Sequence, residues 1–145
     1  MKKIILILAV AVACSASISA QGRKDLRINE VMVQNTNNVI DDYGEHRAWV
    51  ELFNSAFSPL EISSVYITND KSNPKKYPVP LGDHRTEMGT RQHLIFYADS
   101  MPTRGTFHMS FALIPGQDNW IGIFDADGQT LIDEVTIPAS LPANA

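Results

Sequence analysis

The sequence predicts an all-β protein, an antiparallel β-sandwich preceded by a cleavable signal peptide. Three observations point that way. Short runs of β-branched and aromatic residues recur along the chain, separated by Asn, Asp, Gly and Pro clusters. No window of a dozen residues after position 20 sustains helical periodicity. The first twenty residues have the layout of an export signal, with Met1-Lys2-Lys3, an aliphatic stretch over 4–13 and a stretch over 15–20 that is small and polar apart from Ile18.

The apolar run in that leader is about half the ~20 residues that a membrane-spanning helix needs, which argues against a permanent anchor. Cleavage after Ala20 gives a leader over 1–20 and one domain over 21–145, a size at which a single core forms. The alternative is lipidation at Cys14, the only cysteine, because Ala11-Val12-Ala13-Cys14 resembles a bacterial lipoprotein box with Ala11 at the usual Leu position. Neither route leaves an intramolecular disulfide, so packing must hold the fold.

Loss of Lys2 and Lys3 lowers the basic residues from 12 to 10 against 16 acids, so the exported chain carries about −6. That balance opposes indiscriminate binding to polyanions.

The first strand is expected over 26–33, with Ile28, Val31, Met32 and Val33. Residues 34–45 form an exposed connector rich in Asn, Asp and Gly, pinned by Val39 and Ile40. The second strand covers 48–53, with Val50 and Leu52 on one face and Trp49, Glu51 and Phe53 on the other. A turn over 54–59 leads to a third strand over 60–68. Pro74, Pro78 and Pro80 make 69–83 a surface excursion or an edge. Further strands are expected over 93–98, 106–113, 120–124 and 130–137, the last two joined by a hairpin at Asp125-Ala126-Asp127-Gly128-Gln129.

Few residues present themselves for chemistry. Asp41, Asp42 and Glu45, with Asn38, supply oxygens of the kind that bind hard cations, but a solvated acidic loop explains them better. Asp125 and Asp127 begin like a calcium loop, yet Thr136 stands where the bidentate Glu belongs, so they read as hairpin turn. His46, His84, His93 and His108 match no zinc spacing and read as ordinary surface or strand residues, although His46 could meet the acidic cluster. There is no nucleophile elbow. Glu30 and Glu51 lie in neighbouring expected strands and form the one conceivable carboxylate pair of glycosidase type. Lys71, Lys75, Lys76, Arg85 and Arg91, with Tyr77, make the middle locally basic, which fits a soluble loop better than a nucleic-acid face.

Ile28-Asn29-Glu30-Val31, the polar connector, Trp49-Val50-Glu51-Leu52-Phe53-Asn54, Leu60-Glu61-Ile62 and Tyr66-Ile67-Thr68-Asn69-Asp70 together resemble the bacterial lamin-tail domain family. Ala48 stands where that family often has Asp. The resemblance implies an immunoglobulin-like sandwich, no catalytic residues and no cofactor. A narrower similarity, through residues 68–80, 104–108 and 131–135, is to lamin-tail segments that precede the gamma subunit of sodium-pumping oxaloacetate or methylmalonyl-CoA decarboxylases, whose transmembrane helix this chain lacks. Related domains continue into a Ser-Tyr-Gly-Arg segment where this sequence ends, so the reading divides between a complete sandwich and one lacking its last strand as the N-terminal part of a longer product.

The function expected is a non-catalytic exported binding or scaffold module in the periplasm, cell envelope or extracellular space, with an unidentified protein or envelope partner. Exposed aromatics at Tyr43, Trp49 and Tyr77 are the expected contacts. The alternatives are an accessory part of a decarboxylase pump and a small secreted hydrolase.

Overall fold

The computed structural model describes residues 23–145. The leader over 1–20, Cys14 and the cleavage site therefore lie outside the described residues. The described chain is all-β, with strands β1 (Leu26–Met32), β2 (Trp49–Asn54), β3 (Leu60–Glu61), β4 (Tyr66–Thr68), β5 (Tyr77–Pro78), β6 (Glu87–Met88), β7 (His93–Tyr97), β8 (Asn119–Phe124) and β9 (Leu131–Ile137). Three single turns of 3-10 helix are the only helical pieces among the described residues, and none is long and apolar enough to cross a membrane.

The strands form three antiparallel sheets ordered β1-β2-β7, β3-β6 and β5-β4-β8-β9. Strand alternation decides what they bury. In β2, Val50 and Leu52 point inward, as does Phe96 of β7, and meet Ile67 of β4 and Ile121 and Ile123 of β8 in one apolar cluster. Fully burying a side chain of this size stabilises by roughly 1.5–3 kcal/mol.

Asn54, which ends β2, is fully buried and shapes the turn that follows. Its amide donates to the Ser58 and Gly89 carbonyls at 2.9 and 3.0 Å, and its side-chain oxygen accepts from the Ala56 N–H at 3.0 Å. Arg23 fastens the beginning of the described residues to the body, donating to the carbonyls of Glu61 and Ser63 and to the Asp125 carboxylate at 2.8–3.0 Å.

The hairpin at Asp125-Ala126-Asp127-Gly128-Gln129 joins β8 and β9 as its composition requires, with Gly128 at φ 66°. Pro78 lies in the edge strand β5, again as the prolines require. Two expected strands differ. The 60–68 strand is split between two sheets, because Ser64 adopts φ 69° and the Glu61 carboxylate accepts the Ser63 N–H at 2.7 Å, turning the chain at 62–65. The 106–113 strand does not form. Its alternation is genuine in burial at Met109, Phe111 and Leu113, yet its backbone pairs with other segments only through isolated bridges from His108 to Tyr97 and from Ala112 to Asp99 among the described residues, with side-chain bonds from Tyr77 and Asn69 to the Thr106 and Ala112 carbonyls.

Candidate functional site

The acidic connector forms an ordered turn. One oxygen of Asp41 accepts the backbone N–H groups of Tyr43 and Glu45 at 2.9 and 2.8 Å, and the Gly44 N–H closes the turn onto the Asp41 carbonyl at 3.0 Å. Gly44 sits at φ 79°, where a side chain would strain the backbone.

This turn is locked to the body by residues from far along the chain. His108 lies buried between two carboxylates, with Nδ1 2.7 Å from Asp99 and Nε2 2.8 Å from Asp42. The Asp99 side chain is wholly buried, whereas that of Asp42 is 70% exposed. Neutral imidazole has one donor and one acceptor nitrogen, but a carboxylate on each side calls for two donors, which only imidazolium supplies. Burial pulls the His108 pKa down, but its bonds to Asp99 and Asp42 and their charges outweigh burial and leave it raised. The Asp42 pKa is lowered, chiefly by the same bond.

Arg104 completes the cluster. Its guanidinium contacts Glu45 at 2.5 Å, Asp41 at 3.5 Å and Asp99 at 4.0 Å, and Glu45 also pairs with Arg47. The Arg104 bond, followed by that of Arg47, lowers the Glu45 pKa. Two tyrosines enclose the histidine. Tyr97 stacks on it at 5.3 Å between centroids, and Tyr43 meets it edge-on at 5.6 Å. The Arg104 guanidinium lies 4.3 Å over the Tyr43 ring, whose hydroxyl donates to the Arg104 carbonyl at 3.2 Å.

Asp41, Asp99 and His108 each offer a donor atom, all within 4.8 Å of one another, the spacing of a metal set. Arg104 supplies the positive charge to the two aspartates, however, and His108 holds its nitrogens toward carboxylates. A divalent ion would have to displace both bonds. A nucleophile reading also fails on geometry: an Asp–His pair could orient a general base, but the far nitrogen faces Asp42 rather than a hydroxyl or thiol.

The other candidates fall elsewhere. Tyr43 is 54% exposed, as expected. Trp49 and Tyr77 are not surface residues, being 3% and 4% exposed. Trp49 points to the outer side of its sheet, opposite Met32 and Tyr97, but the connector passes over this end and receives the Tyr97 hydroxyl at the Ile40 carbonyl. Tyr77 packs into the core and donates its hydroxyl to the Thr106 carbonyl; burial, then the Asp99 charge, pushes its pKa up to about 12.

Asp125 and Asp127 serve the hairpin, with Asp127 accepting the N–H groups of Gln129 and Thr130 at 2.9 and 2.8 Å. His46, which sequence spacing set near the acidic loop, is exposed, and the histidine that enters the cluster is His108. Asn38 only shapes the connector backbone, accepting its neighbour Val39 N–H at 2.8 Å. His84 and His93 are exposed, the latter stacked on Phe53. Glu30 and Glu51 are direct cross-strand partners, with Asn29 donating to Glu51 at 2.7 Å. The central cations separate onto different rings: Lys71 over Trp120, Lys76 over Phe111, Arg85 over Phe107 and Arg91 over Phe53.

Beside the cluster lies an open depression of about 220 Å³, walled by Leu94, Ile95, Tyr97 and Phe107 with Asp42 and Arg85 at its rim. No protein-family model matches this chain, and no curated protein matches it.

Proposed function

We propose that the chain is an exported, non-catalytic binding or scaffold module of lamin-tail type, its sheets arranged as an immunoglobulin-like sandwich. The observation that carries this reading is the locked connector. Asp99, His108 and Arg104 are consumed in holding it, and what it presents is the exposed Tyr43 ring beside an apolar depression. A contact surface fixed before binding loses less entropy on association than a mobile one. Aromatic side chains at such a surface carry a large share of interface energy.

A photo-crosslinking amino acid at position 43, expressed in the native cell, tests the reading. Discrete protein adducts from position 43, with none from position 129 at the hairpin tip, are the expected result. Adducts from neither position, or the same adducts from both, would overturn it. Turnover of glycan or peptide substrates that is abolished by Glu51→Gln would instead establish the hydrolase.

A further inference from the structure

Two strand edges face one another across an open groove of about 200 Å³. Strand β1 ends one sheet and β9 ends another. Between them, Ile28, Val31, Val135, Ile137 and Leu141 form an apolar lining, with Glu30 at the rim. Only a side chain spans the gap at its near end, where an Asp133 oxygen accepts the Ile28 N–H at 2.9 Å.

The two edges differ in what they offer. The β1 ladder is irregular between Ile28 and Glu30, a feature that blunts an edge. The β8–β9 ladder is regular from Asn119 opposite Ile137 to Ile123 opposite Asp133. Residues 133–137 contain no Pro, Gly or Lys; what guards this edge is the negative charge of Asp133 and Glu134, which opposes another acidic strand and not a basic one. Five such residues present about 17 Å of open backbone.

Charge selects the occupant. Strands β1 and β9 carry Glu30, Asp133 and Glu134 against the single cation Arg27, whose guanidinium is turned back onto the carbonyls of Lys24 and Leu26. Asp133 is used by Ile28, and Glu134 accepts the Trp120 indole N–H at 2.8 Å. Glu30 has no hydrogen-bond or ionic partner among the described residues, and it stands directly opposite Glu51. Like charges facing each other across a ladder destabilise it. A cation arriving at Glu30 relieves that repulsion. A second copy of this chain does not bring one, since antiparallel pairing of two β9 edges gathers four carboxylates on one seam.

We propose that the free edge of β9 takes up an extended peptide of alternating basic and apolar residues as an added antiparallel strand, with a Lys or Arg of that peptide at Glu30. Main-chain bonds to β9 supply affinity, and the apolar lining and Glu30 supply selectivity. This deepens the binding-module reading and names a second surface for it, away from Tyr43.

The test is fluorescence anisotropy of the full chain with a dye-labelled alternating Lys-Val decapeptide, with amide hydrogen exchange read on the same complex. Binding, new protection within 133–137, and a loss of about tenfold or more in Glu30→Lys are expected. Glu30→Lys removes a like-charge pair, so it folds at least as well as the parent and its loss of binding is not a folding defect. Equal binding of a Glu-Val peptide, equal binding of a backbone N-methylated Lys-Val peptide, or no new protection in β9 would each overturn the proposal. Self-association that protects β9 without any peptide would assign the edge to a second copy. Crosslinks at Tyr43 without peptide binding would sink this inference alone; failure of both would remove the binding-module reading.

Discussion

Replacing His108 with Leu removes the donor that stands between Asp99 and Asp42, and the two carboxylates should feel that loss very differently. Removing one partner of a buried ion pair costs about 3–5 kcal/mol, because the other charge stays buried. Asp99 has no side-chain exposure but keeps the Met101 N–H at 3.0 Å and Arg104 at 4.0 Å. These place His108→Leu at the low end, about 3 kcal/mol, or roughly 10 °C in Tm for a domain of this size. Asp42→Asn removes a carboxylate that is 70% exposed and screened by water, so its cost is only about 0.5–1 kcal/mol. The pH dependence has a definite sign. The folded His108 pKa is raised, so its contribution is complete below the ordinary value of 6.5 and is lost as pH rises through the higher folded value. The folded Asp42 pKa is lowered, so its contribution is present above 3.8 and is lost as pH falls through the lower folded value. Urea unfolding at about pH 5.5 and again at about pH 8.5 should show the gap between the parent and His108→Leu narrowing at the higher pH. The reasoning fails if that gap widens with pH, if it stays below about 1 kcal/mol at both values, or if Asp42→Asn costs as much as His108→Leu. His108→Gln serves in place of the Leu variant should the latter not fold.

Three further outcomes follow from local geometry. Gly122→Ala places a Cβ 2.4 and 2.7 Å from Trp120 ring atoms, forcing the indole off Glu134; a loss of about 1–3 kcal/mol and a red-shifted tryptophan emission are expected. Gly128→Ala imposes φ 66° on an alanine and crowds the Lys75 side chain from Cγ to Cε, which can swing aside, so thermal unfolding should show a loss of about 1 kcal/mol. Glu30→Lys exchanges a like-charge pair for an opposite one and should raise the unfolding free energy by about 0.5 kcal/mol, seen as a higher urea midpoint with the slope unchanged.

The elements that sequence reasoning located are those fixed by local rules. Alternation in Trp49-Val50-Glu51-Leu52-Phe53 placed Val50 and Leu52 inward, and Asp127-Gly128 marked the one hairpin whose turn demands positive φ. The misses arise where a distant residue decides. The run over 60–68 is rich in β-branched and aromatic residues on both sides of Ser63-Ser64, and that pair alone is too weak a turn signal to divide it; the break depends on the distant Thr86 and Val79, whose carbonyls accept the backbone N–H groups of Ile62 and Ser64. The outward parity of Trp49 is right, yet the connector returns over it. His108 alternates out of phase with the buried Met109 and Phe111 and so looks like a solvent-facing residue. Its partners lie 9 and 66 positions away. Asp99 was the nearer clue, since the short 3-10 turn Pro102–Arg104 doubles the chain back and sets both residues side by side.

That pairing also bears on the order in which the molecule assembles. The connector between β1 and β2 is among the first segments to leave the ribosome, but its anchors, Asp99, Arg104 and His108, come more than fifty residues later. Closing loops of that length is slow compared with forming a local hairpin such as β8–β9. Residues 34–45 are therefore expected to be cut readily by a protease until the return segment has docked, and more slowly once it has. Cleavage within that stretch is a clock for the completion of folding, built into the loop that the finished protein displays.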